Sequence, residues 1–304
     1  MEIALALLFS TLRQATPLLF TALGGLFSER SGVANIGLEG MILFGAVAAA
    51  VTTQQIERGL GSPDGALWIP FVGLLAGAAI GGLAGLIHAV VCIRFKADQI
   101  ISGTAINILA LGAPSILLQV LYNNTSTSGE VSNRLPNFDI GSGSLSLLVF
   151  VAFLLVPAVW WLLFKTPWGL RLRAVGEHPE AAETMGVDVI RMRYIAVILS
   201  GVLAGIAGAY LSIGFGNQFV RAMSAGLGFI ALAALIFGKW NPWGVLGACL
   251  LFGFFRALAI YLGGGNIMPS VIVDAIPYLL TMLVLAGFIG RSRAPAALGR
   301  PFER

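Results

Sequence analysis

The chain has 304 residues, 58% of them hydrophobic and only 11% charged, with a mean hydropathy of +0.91. A soluble domain carries about 25% charged residues, so this composition excludes water as the main solvent. The net charge of +4 would suit a nucleic-acid partner if the basic residues were gathered on one soluble face, but they sit in the connections between apolar runs.

A hydrocarbon core about 30 Å thick takes roughly 20 apolar residues per helical crossing. Apolar runs at 3–27, 33–52, 66–93, 100–122, 144–164, 194–213, 225–237, 243–262 and 269–289 predict an all-α, polytopic bundle of about nine spans forming a single transmembrane domain over 1–304. The first run has no basic n-region and no small-residue cleavage site, so it is expected to stay as a span. Residues 28–40, at the entry to the second, hold Glu29, Arg30, Asn35, Glu39 and three glycines, which predicts a broken or re-entrant helix there. The third carries Gly73, Gly77, Gly81 and Gly85 at intervals of four, and the sixth Gly201, Ala204, Gly205 and Gly208. Small residues on one face let helix backbones approach closely in lipid. The likeness of 73–77 to 201–205 hints at a duplicated architecture. In the eighth and ninth spans, Arg256 and Asp274 fall at similar depth in adjacent antiparallel helices. A lone charge is costly there, so the two are expected to pair as a structural bridge. Arg13 and Glu39 are a second possible pair.

The connections alternate in charge. One set holds Arg94, Lys96, Lys165, Arg171, Arg173, Arg191, Arg193, Lys239, Arg291, Arg293, Arg300 and Arg304; the other holds only Arg58, Arg134 and Arg221. The basic set is expected to be cytoplasmic, with 123–143 and, by strict alternation, the N-terminus outside. Tyr122, Trp160, Trp161, Trp168, Trp240 and Trp243 lie near span ends, where an interfacial aromatic belt is expected. Cys92 and Cys249 have no paired or metal-ligand spacing and read as small buried hydrophobes. His88 and His178 form neither a metal site nor a catalytic pair.

The longest basic connection, 165–193, contains Pro179, Glu180, Ala181, Ala182, Glu183 and Gly186. Proline suits a first helical turn, acidic residues suit its positive end, and glycine can terminate it. So short a helix is unstable alone; it needs tertiary contacts or a partner, and its small alanine face suits a groove on another protein.

Glu180-Ala181-Ala182 followed by Gly186 resembles the coupling-helix motif by which ATP-binding cassette (ABC) importer permeases dock into their ATPase subunits. Segments 28–40, 98–107, 175–182, 200–208 and 228–242 resemble, in order, the permeases for branched-chain amino acids, ribose and nucleosides, and most of all the nucleoside branch linked to basic membrane protein-type binding proteins. The resemblance implies a type II-like importer permease in a bacterial cytoplasmic membrane, with a partly broken second span. It also implies a separate ATPase with two fused cassettes, carrying ATP and Mg, together with a second homologous permease and an extracytoplasmic substrate-binding protein. No G-x-x-x-x-G-K-[ST] loop occurs in the chain, so no nucleotide cofactor is expected on it and ATP hydrolysis belongs elsewhere.

A neutral polar solute needs donors and acceptors without strong fixed charge, and Asn35, Glu39, Gln99, Ser102, Thr104 and Asn107 are the candidates to line its pathway. The competing reading makes them ties to broken backbone. Sugars, riboflavin-like compounds and branched-chain amino acids remain alternative cargoes. An ion-coupled secondary transporter, using Glu39, Arg256 and Asp274, is the alternative of another class.

Overall fold

The computed structural model describes residues 2–61, 65–140, 143–264 and 293–303. Among the described residues ten α-helices run in order: α1 (Glu2–Arg30), α2 (Leu38–Gly59), α3 (Trp68–Ala89), α4 (Gln99–Tyr122), α5 (Leu147–Lys165), α6 (Pro167–Glu177), α7 (Pro179–Thr184), α8 (Val189–Ala209), α9 (Leu227–Phe237) and α10 (Pro242–Gly264). α3 and α8 each continue into a π-helical turn, Val90–Arg94 and Tyr210–Phe215. Strands β1 (Asn137–Ile140) and β2 (Gly143–Ser146) pair antiparallel, with Asn137 opposite Ser146.

The centre is built from α1, α2, α3 and α8. Leu18, Leu19, Leu23 and Leu26 of α1 are fully buried, as are Leu38, Met41, Ile42 and Ala46 of α2. With lipid as apolar as leucine, close van der Waals contact must hold such helices together, and glycine permits it. A Cβ on Gly77 would lie 2.9 Å from the Gly45 carbonyl oxygen. One on Gly81 would strike the backbone of Gly201 and Gly205, and one on Gly208 the Ile42 carbonyl. The two small-residue stripes read from the sequence therefore pack against each other, with α2 as the third wall.

Six helical segments among the described residues are long and apolar enough to cross a membrane: Ile3–Arg30, Trp68–Arg94, Gln99–Tyr122, Leu147–Lys165, Val189–Phe215 and Pro242–Gly263. Of the nine expected, α2 and α9 fall outside this length-and-hydropathy set. α2 is 22 residues long, yet it is buried along most of its length and carries Glu39, Glu57 and Arg58 near its ends. α9 has 11 residues, about 16 Å of helix, half a crossing. The segment 269–289 lies outside the described residues.

Two faces follow. α1 runs from one, where Arg13 Nε donates to the Ser144 carbonyl at 3.0 Å, to the other, where Arg30 Nη2 donates to the Trp240 carbonyl at 2.7 Å. The first face carries the β-hairpin and a bridge between Thr127 and Val220; Glu57 at the end of α2 accepts from Ser132 N (3.1 Å) and Asn133 N (2.6 Å) there. The second face carries α6, α7 and the tail 293–303. Trp240 departs from the expected belt. It is 4% exposed, and its Nε1 donates to Glu29 at 2.5 Å, locking the end of α1 to the α9–α10 turn. Trp161 and Trp243 are exposed.

Candidate functional site

Between α1 and α2 the backbone leaves the helix for residues 31–37, the break expected from the sequence. Non-helical backbone at membrane depth persists only where protein satisfies it, and here the partners come from α3 and α4, with a side-chain tie to α8. Ala34 N donates to Gln99 Oε1 (2.7 Å), and His88 Nε2 lies 3.0 Å from the Ala34 carbonyl. A carbonyl only accepts, so Nε2 carries a proton, and Nδ1 lies within hydrogen-bond distance of Ser102 Oγ at 2.9 Å. Asn107 Nδ2 donates to the Ile36 carbonyl (2.9 Å), while its Oδ1 accepts from Gly40 N (2.8 Å). Asn35 Nδ2 donates to Ser200 Oγ of α8 at 3.0 Å. Four of the six pathway candidates, Asn35, Gln99, Ser102 and Asn107, are thus gathered at this break. Thr104 is apart from them: it is exposed on α4 and donates to the Ile100 carbonyl within its own helix.

Glu39 joins the break to α9. Its Oε1 accepts from Ser224 Oγ (2.6 Å) and Gly226 N (2.8 Å), and its Oε2 from Gly228 N (2.6 Å). Those amides belong to the start of α9, whose unpaired N–H groups and positive dipole end favour a carboxylate. Glu39 caps a helix more than 180 residues away in sequence. It does not pair with Arg13, which donates to Ser144 instead. Arg256 is described, but Asp274 lies outside the described residues.

On the second face, α7 is the short helix the sequence predicted. Pro179 starts it; Gly186, at φ +81°, ends it, with Gly186 N donating to the Glu183 carbonyl (2.8 Å) and Val187 N to the Ala182 carbonyl (3.0 Å). Ala182 is buried against the protein, while Glu180, Ala181 and Met185 face outward, Met185 at 84% exposure. α6, not anticipated as a helix, supports it: Thr166 Oγ caps α6 by accepting from Gly169 N, Pro167 opens it, and Trp168 packs edge-on against Phe27. The tail straps this platform to the break. Ala297 N donates to the Gly176 carbonyl (2.9 Å) and Gly299 N to the Gly32 carbonyl (3.1 Å). Arg193, counted above as a loop charge, is 2% exposed and spans the two, donating to the carbonyls of Ser31 and Arg300 at 3.2 Å each.

This arrangement has relatives. Residues 7–285 match the family described as branched-chain amino acid transport system / permease component. The chain belongs to this permease family. It is 44% identical to the guanosine ABC transporter permease protein NupQ of Bacillus subtilis (strain 168), over 96% of this chain and 95% of that one. It is 40% identical to the nucleoside ABC transporter permease protein NupC of Lactococcus lactis subsp. cremoris (strain MG1363), covering 94% and 92%. A second Bacillus subtilis protein, the guanosine ABC transporter permease protein NupP, is 31% identical, covering 91% and 80%. Among solved structures, PsaBC from Streptococcus pneumoniae in complex with Fab shares the fold at a TM-score of 0.50 and 15% identity, covering 95% of this chain and 92% of that one.

Within the permease, sequence reasoning missed His88, read as without a role, and Glu57, Arg193 and Ser224. Each binds backbone or a side chain far away in sequence, so no local spacing marks it. The one available signal was polarity itself: an intramembrane histidine or arginine is costly unless something specific faces it.

Proposed function

We propose that this permease is one of two non-identical membrane subunits of an ABC importer for nucleosides. The carrying observation is α7: a six-residue helix anchored by buried Ala182, with Glu180, Ala181 and Met185 presented outward. The face bearing it is the cytoplasmic one, docking an ATPase with two fused cassettes that holds ATP and Mg; the described residues Arg94, Lys96, Lys165, Arg171, Arg191, Lys239 and Arg300 fall in the connections and tail on this side, as the positive-inside rule requires. The N-terminus, the hairpin and the 216–226 segment then face outward in a bacterial cytoplasmic membrane, where a binding protein delivers the solute. Two proteins of one Bacillus strain bear the same guanosine permease description, and this chain is far closer to one than to the other; that supports a heterodimer.

Asn35, Gln99, Ser102 and Asn107 act on the route by holding residues 31–37 in place, and Glu39 by capping α9, rather than by touching solute, as their hydrogen bonds suggest; Thr104 faces away from the chain and is the one of the six open to a neighbour. Proteoliposomes containing the chain, its second permease and the ATPase should take up guanosine only with ATP and the binding protein. Uptake driven by an ion gradient without the ATPase, or ATP-driven uptake of a sugar or amino acid with guanosine inert, refutes the reading. Asn35→Ala and Asn107→Ala transporters should keep solute selectivity and lose rate; altered selectivity would put these residues in the pathway itself.

A further inference from the structure

The hairpin-bearing face holds an open cavity of about 320 Å³ between α1, the end of α8, the 216–226 segment and α10. That volume is at the low end of small-molecule sites, roughly 300–1,000 Å³. Its lining combines three chemistries. Phe215 is half exposed, with its ring 6.3 Å from Tyr210 and inclined by 31°. Gln14, Asn217 and Gln218 bring three amides, none with a side-chain hydrogen bond among the described residues. Arg13 brings a guanidinium whose Nε is fixed on Ser144, while its terminal nitrogens make no hydrogen bond there. No carboxylate lies among the described lining residues, which disfavours a cationic occupant.

The backbone is built to aim this set. The π-helical turn Tyr210–Phe215 adds a residue to the last turn of α8, a departure that recurs at functional sites. Tyr210, 1% exposed, is held by its hydroxyl donating to the Arg13 carbonyl at 3.2 Å. The aromatic pair is thereby fixed against α1, and Phe215 is left open beside unengaged amides. A nucleobase offers the matching surfaces: a flat π face for stacking and an edge of mixed donors and acceptors, including carbonyls that a guanidinium can meet. A free sugar offers no such face.

We propose that this cavity is a way station on the entry side of the permease, where the base of a nucleoside stacks on Phe215 and its polar edge meets Arg13, Gln14, Asn217 and Gln218. The proposal rests on the nucleoside reading above. It is tested on the assembled transporter carrying Val220→Cys, a 40% exposed lining position outside the proposed contacts, with the binding protein omitted and a membrane-impermeant maleimide added outside. Cys92 and Cys249 are buried and should stay silent. Guanosine at saturating concentration should slow labelling of this chain at least about fivefold, ribose should not, and labelling at Arg134→Cys, exposed on the same face, should be indifferent to both. In the same background Phe215→Leu should weaken guanosine protection by about 5- to 150-fold, the range that follows from roughly 1–3 kcal/mol per stacked base, and Phe215→Tyr should restore it. No labelling in a transporter that co-purifies intact, no protection by guanosine, or equal protection by ribose overturns the way station. The wild-type uptake assay separates the two claims: guanosine uptake without protection defeats only the cavity, whereas absence of guanosine uptake defeats the nucleoside reading.

Discussion

Removal of the Glu39 carboxylate tests whether this buried acid is a structural cap or an ion-coupling group. The carboxylate receives one hydroxyl and two backbone N–H donors and is 8% exposed. Hydrogen bonds to a charged group are worth about 1.5–3 kcal/mol each, but interhelical hydrogen bonds measured in membranes average only about 0.6 and reach about 1.7 kcal/mol. Three such bonds then amount to about 2–5 kcal/mol, which Glu39→Ala should lose, with the start of α9 left unsatisfied. Glu39→Gln keeps one carbonyl oxygen, enough for Ser224 and Gly226, but turns its NH₂ toward Gly228 N–H, donor against donor. It should lose about one bond, roughly 1–2 kcal/mol. Thermal unfolding of the purified protein in detergent should rank wild type above Gln and Gln above Ala, and ATP-driven uptake by the Gln variant should survive at reduced rate. A Gln variant as stable as wild type but unable to transport, or an Ala variant of unchanged stability, would refute the cap and favour a group that works by ionising.

The glycine seam predicts that Gly205→Leu destabilises the assembled helices by more than about 3 kcal/mol or abolishes insertion, because even a Cβ there strikes the Gly77 carbonyl; Gly112→Ala in α4, with nothing within 4 Å, should be neutral or stabilising by up to about 1 kcal/mol, and the two midpoints compared in one detergent check it. Met185→Asp, at an 84% exposed position, should cut ATPase co-purification at least tenfold and leave the permease's own unfolding midpoint unchanged, whereas Ala182→Asp should lower both. Arg193→Met should free the tail, giving faster proteolytic removal of a C-terminal tag, with a stability loss of about 2–4 kcal/mol from its two carbonyl contacts; an equally protected tail argues against the strap.

What was legible in the sequence shares one property: the signal is local. Pro179, Glu180 and Gly186 mark α7 because caps act within a turn, and the four-residue spacing of Gly73 to Gly85 marks a packing face because a helix repeats over that interval. α9 lies within two residues of its expected bounds, but what starts it was not legible, because hydropathy registers apolar length and is blind to where backbone turns helical: its start is fixed by Gly226 at φ +81° and by Glu39 from another helix. Trp240 looked interfacial because its sequence neighbours are Lys239 and Asn241, while its actual neighbour is Glu29, 211 residues away. α6 has a local signal as well: Thr166 and Pro167 are an N-cap and first-turn pair, set among basic residues typical of a loop. Asn35, Gln99, Ser102 and Asn107 stand out in the sequence by polarity, but polarity alone does not distinguish a side chain facing solute from one facing a carbonyl.

That distinction matters for how force could cross this protein. A continuous helix from α1 to α2 would satisfy its own backbone and need no neighbours. The break at 31–37 hands that requirement to α3 through His88, to α4 through Gln99 and Asn107, to α8 through Arg193, and to the tail through Gly299. The tail is in turn bonded to α6, immediately before α7. Displacing the α7 platform by an ångström or more must therefore drag the break or rupture hydrogen bonds whose replacement by lipid is costly. Physical contiguity of this kind is necessary for coupling but does not measure it. The quantity that does is the interaction energy between Gly299→Pro, which deletes the N–H reaching Gly32, and Asn107→Ala, which deletes the tie two turns into α4. If the strap and the break form one element, the double variant's loss of ATP-driven uptake falls short of the sum of the two single losses; strict additivity would mean that they act independently.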